Sequence, residues 1–114
     1  MANTSIRTRA DLVQRALEIL QAVETGQGPA AEDQELADRA VEPCLASLSA
    51  RGIFTVNDPD DIPLVAFEHI AVMLADFLKF DFNVEGVEAM RAVYDLQVIN
   101  AASPTRAPLA VDYF

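Results

Sequence analysis

The chain has 114 residues, about one domain's length, and its apolar half comes from Ala, Leu, Val, Ile and Phe, with four glycines and no tryptophan, a composition that favours amphipathic helices around one core. Eighteen acidic against eight basic residues leave a formal charge of −10, which repels phosphate and argues against a gripping nucleic-acid surface; a chain of this charge that meets DNA would line its path. Cys44 is the only cysteine, so no internal disulfide forms, and no run approaches the ~20 apolar residues of a membrane span.

Residues 1–8 lack an apolar signal core and are expected to form a flexible N-terminus. Thr8 with Asp11 resembles a capping box in which Asp replaces Glu. It precedes Leu12, Val13, Ala16, Leu17, Leu20 and Val23 at helical spacing, predicting a first helix over residues 9–24. Gly26, Gly28 and Pro29 break the pattern and predict a turn.

Leu36, Ala40, Val41, Cys44, Leu45 and Leu48 form a second stripe that begins near Asp33. The apolar neighbours of Cys44 point to a buried thiol in a reducing compartment. Pro43 removes one backbone donor and crowds the carbonyl of Arg39, but the stripe keeps its phase, predicting one kinked helix rather than two; Gly52 supplies the stop.

Residues 53–56 favour β structure, and residues 57–63, with three aspartates and two prolines, read as a long loop. Pro63 suits the first turn of a third helix carrying Leu64, Phe67, Ile70, Ala71, Leu74, Phe77 and Leu78. Val65, Val72 and Met73 add apolar groups on its other side, so this helix is expected at the centre of the core. A fourth helix is expected on Val87, Met90, Val93, Tyr94, Gln97 and Val98, ending near Ala101. Two prolines and no helical period then predict an extended C-terminal arm over residues 102–114. The fold class is thus all-α: a bundle of about four helices over residues 9–101, with a long loop before the third helix.

Leu109, Val111, Tyr113 and Phe114 are costly to leave in water, so the arm either folds back on its own domain or docks on a partner. Catalytic chemistry is sparse. A dyad of Cys44 with His69, the single histidine, competes with a packed thiol and a capping or interface histidine, and the latter reading is favoured. Asp58, Asp60 and Asp61 lack the glycine and spaced glutamate of a calcium loop and are expected to cap the third helix. Glu32, Asp33, Glu35 and Asp38 read as a solvated helix face. No catalytic residue, cofactor or metal ligand is assigned.

Thr8-Arg9-Ala10-Asp11-Leu12-Val13 with Ala16-Leu17 and Leu20, then Leu45, Leu48 and Gly52-Ile53, then Asp60-Asp61-Ile62-Pro63 before an Ala/Leu/Phe-rich helix, form an order of segments across nearly the whole chain. In that order the chain resembles the small head-to-tail adaptor proteins (head-completion or connector proteins) of tailed bacteriophages, short-tailed phages in particular. The resemblance implies a structural virion protein at the neck, made in the bacterial cytoplasm. Such subunits form a ring, usually of twelve, beneath the portal protein, where they extend the DNA channel, help retain packaged DNA and receive a tail or nozzle protein. DNA would pass without sequence-specific binding, and no membrane is involved. The arm would then bind the portal through Leu109, Val111, Tyr113 and Phe114, with Arg106 available for a carboxylate and Asp112 in the same set. The alternative is a small helical regulatory module whose tail occupies a groove on a single partner.

Overall fold

The computed structural model describes residues 6–23 and 28–102, and within them the chain is an all-α bundle of four helices with one very short strand pair. The first helix, α1 (Arg9–Ile19), starts as its sequence dictates: the Asp11 amide donates to Thr8 Oγ1 at 3.2 Å and the Thr8 amide donates back to Asp11 Oδ2 at 3.0 Å. It buries Leu12, Val13, Ala16 and Leu17.

α1 ends earlier than its apolar period suggests. Gln21 takes a left-handed backbone at φ 61°, its amide donating to the Glu18 carbonyl, while the Ala22 amide donates to that of Leu17. This pair of bonds closes the helix as glycine usually does, but with glutamine in the glycine's place, so the sequence shows no stop. Residues 24–27, including Gly26, lie outside the described residues.

α2 (Ala31–Ala50) begins two residues before Asp33, with Glu32 and Asp33 in its first turn, where carboxylates favour the positive end of the helix. It runs unbroken through Pro43, whose exposed ring faces away from the buried stripe of Ala37, Ala40, Val41, Cys44, Leu45 and Leu48. Gly52, at φ +70°, ends it by the same bond pair seen after α1. Ile53 is thereby turned inward and buried, its amide bonded to the Leu48 carbonyl, and Phe54 is buried beside it. Residues 53–56 therefore form no strand; their β-favouring side chains serve as the apolar clasp of a helix end.

Strand structure lies elsewhere. β1 (Ile6–Arg7) pairs antiparallel with β2 (Ile62–Pro63), in the register Ile6 to Pro63 and Arg7 to Ile62. The N-terminal segment read as flexible is thus tied down from Ile6 onward, while residues 1–5 lie outside the described residues. Pro63 sits on a pair with no further neighbour among the described residues, where its missing N–H costs no ladder bond.

α3 (Leu64–Leu78) follows directly, with Pro63 just before its first turn. It packs against α1, α2 and α4, the central position expected of it. Its fully inward residues are Ala66, Ile70, Ala71, Met73, Leu74, Ala75 and Leu78. The stripe is offset from the expected one: Leu64 and Phe77 are exposed and Phe67 is half-buried, because alanines fill the closest helix contacts. After α3 the chain makes one more turn and leaves it at Asn83, left-handed at φ 58°, with the Val84 amide donating to the Lys79 carbonyl. α4 (Ala89–Ala101) then lies along α3.

Candidate functional site

The residues assigned to partner binding, Arg106, Leu109, Val111, Asp112, Tyr113 and Phe114, lie outside the described residues. What the fold does place is the surface from which that segment departs.

α4 was expected to carry its stripe on Val87, Met90, Val93, Tyr94, Gln97 and Val98. Instead it buries Ala92 and Leu96, with Val93 and Ile99 half-buried, and leaves Met90 82 %, Tyr94 64 % and Val98 50 % exposed. The reason is angular: residues two apart on a helix stand about 200° apart, so the 90–94–98 and 92–96 rows occupy opposite faces. Both rows are apolar, and the period alone does not say which turns inward. The smaller row does, since Ala92 allows α4 to approach α3 closely around Leu96.

At its N-terminal half the outward row borders a cavity of about 380 Å³ between α3 and α4, lined by Met73, Ala89, Met90, Val93 and Tyr94, with Arg51 from the end of α2 and Asp76 of α3 as its charged walls. Asp76 is held by Lys79 at 2.7 Å. Arg51 forms no ion pair among the described residues. Phe80, 84 % exposed just beyond α3, carries the Lys79 ammonium 5.3 Å from its ring centre.

The groups of the considered Cys44–His69 dyad have separate partners. His69 Nδ1 lies 3.7 Å from Asp95 Oδ2 on α4, and Asp95 also faces Arg91 Nε at 3.4 Å. Cys44 is 3 % exposed, and burial, reinforced by Asp76 and opposed by Arg51, pushes its thiol from 9.0 up to about 12. A thiol so held is a packed apolar group and a poor source of thiolate.

The aspartates before α3 do not cap it. Asp60 Oδ1 accepts from the Arg9 amide at 3.1 Å, in the first turn of α1, and Asp58 Oδ1 accepts from the Asp60 amide at 3.0 Å. The start of α3 has no side-chain cap. Among the described residues no three His, Cys, Asp or Glu side chains gather as metal ligands.

Nor is Asp38 merely solvated. The Arg9 guanidinium donates to Asp38 Oδ1 at 2.8 Å, to the Asp38 carbonyl at 2.9 Å and to Glu42 Oε2 at 2.9 Å, joining the start of α1 to the middle of α2. Arg15 does the same between α1 and α3, with Glu68 at 2.9 Å and Glu18 at 3.2 Å. In both cases the hydrogen bonds to carboxylates raise the guanidinium's pKa further. The two arginines act as braces of the bundle. Comparison of the chain with protein-family models, with curated proteins and with solved structures found no match.

Proposed function

We propose that the chain is a structural subunit of a phage virion, a ring-forming head-to-tail adaptor that joins the portal to the tail, extends the DNA channel and helps retain packaged DNA. The observation that carries an assembly role is the outward row of Met90, Tyr94 and Val98 beside a cavity between α3 and α4, with Leu64, Val65 and Phe77 of α3 and Phe80 just beyond it also exposed. Apolar and aromatic groups arranged this way suit a protein–protein contact. The formal charge of −10 is compatible with a surface along which a duplex passes without sticking. The step from assembly subunit to phage adaptor rests on the order of segments in the sequence.

The test is electron microscopy of the protein mixed with the portal protein encoded in the same genome, alongside a chain lacking residues 104–114. The adaptor reading expects a ring capping the portal with the full chain and none with the shortened one, although the latter stays folded. Absence of association with the full chain would leave the regulatory-module reading in its place. A ring that forms equally well without residues 104–114 would refute the arm's role while keeping the adaptor.

A further inference from the structure

Among the described residues every exposed large apolar side chain belongs to α3, the turn after it, or α4, and none to α1 or α2. A second copy can therefore meet the outward row of α4 with large apolar groups only by presenting the same pair of helices in its turn.

Charge narrows the choice to α4. α2 carries five acids against Arg39 alone, so two copies facing each other there would repel. α4 holds one acid and one base, Asp95 and Arg91, and is neutral in a chain of −10. Asp95 is turned toward α3, where it lies 3.7 Å from His69, and the outward face of α4 presents no carboxylate.

The row is also its own complement. Residues an equal number of steps on either side of Tyr94 stand at equal heights above and below it, and at equal and opposite angles around the helix. A two-fold axis through Tyr94, normal to the surface, therefore sets Met90 of one copy over Val98 of the other, Arg91 over Gln97, and Tyr94 over its own counterpart. Each pairing is chemically matched: thioether on an aliphatic group, guanidinium beside a side-chain amide oxygen, ring beside ring. No like charges are brought together, since Arg91 meets an amide and Asp95 stands off the face. A contact through one helix is smaller than the ~1,200 Å² at which standard interfaces begin, so the pair is weak and concentration controls it.

We propose that free copies of this chain pair through the outward faces of α4, about a two-fold axis at Tyr94 that lays Met90 of each copy on Val98 of the other. The inference does not rest on the adaptor reading: a two-fold contact is complete with two copies, and the pair must open before the row can meet any other partner.

The test is sedimentation equilibrium of the full chain, with no other protein present, over a range of concentrations. The mass should rise from 12.4 kDa to twice that value and no further. Tyr94→Arg and Tyr94→Glu each put like charges on the axis and should weaken the pair by more than ~tenfold, with unchanged circular dichroism because Tyr94 is exposed. An equimolar mixture of the two variants should pair again, opposite charges now meeting across the axis. The proposal is overturned by a chain that stays at 12.4 kDa at every concentration, by a mass that climbs past two copies, by single variants that pair as tightly as the untouched chain, or by a mixture that pairs no better than either variant alone.

Discussion

Leu96 is the only large side chain that α4 buries completely, so truncating it measures how that helix is held. Leu96→Ala removes three carbons, a transfer term of ~2.4 kcal/mol at ~0.8 kcal/mol per buried methylene. The cavity left behind adds to this, and buried Leu→Ala changes cost ~2–5 kcal/mol in total. α4 packs mainly on α3 at the edge of the bundle, so its surroundings can partly collapse, which places the expected loss near ~3 kcal/mol. At ~4 °C per kcal/mol for a domain of this size, Tm should fall by ~12 °C. Tyr94→Ala, on the outward face, should cost less than ~1 kcal/mol. Urea unfolding followed by far-ultraviolet circular dichroism gives both values. A Leu96→Ala loss below ~1 kcal/mol, or a Tyr94→Ala loss of equal size, would mean that α4 is turned the other way.

Alkaline pH should weaken the fold through Cys44. The folded thiol is pushed up to about 12 while the unfolded one ionises near 9.0, so its contribution is complete below that value and is lost as pH rises toward 12. The expected slope is about 1 kcal/mol per pH unit, and it should be absent from Cys44→Ala; parallel alkaline losses in both proteins would clear the thiol. Arg9→Met keeps the stem but cuts three side-chain hydrogen bonds, and should lower stability by ~1–2 kcal/mol, with a smaller loss in high salt. An unchanged urea midpoint would remove Arg9 from the bracing role. Relieving the left-handed backbone at Gln21 by Gln21→Gly should raise stability by ~0.5–1 kcal/mol. Gly52→Ala should lower it by ~1 kcal/mol through backbone strain alone, because nothing lies within 4 Å of the added Cβ. Thermal melts that move in the same direction for both would contradict the two helix endings.

The sequence made some of these features readable and hid others for identifiable reasons. Thr8 with Asp11, the passage of α2 through Pro43 and the stop at Gly52 are local signals, each governed by one turn of backbone, and each appears where local chemistry puts it. The end of α1 was hidden because Gln21 adopts a conformation that glutamine rarely signals. The partners of Asp38, Asp60 and Glu68 were hidden because they are 29, 51 and 53 residues away in the chain, on Arg9 and Arg15. For α4 the ambiguity was intrinsic: two apolar rows share one helix, and only packing against α3 selects Ala92 and Leu96 over Met90, Tyr94 and Val98. That selection left the candidate docking row outside.

The ion pairs that brace the bundle also determine how solutions of it respond to salt. Arg9, Arg15, Lys79 and Arg91 are matched to carboxylates of their own chain, so the surplus of acids has few internal counterions. Copies brought side by side therefore repel one another most in dilute buffer, where the Debye length is ~30 Å, and much less at physiological ionic strength, where it is ~8 Å. The short braces inside each molecule are screened far less than that long-range repulsion. Low ionic strength thus strengthens the repulsion between copies, and added electrolyte weakens it while leaving each bundle folded.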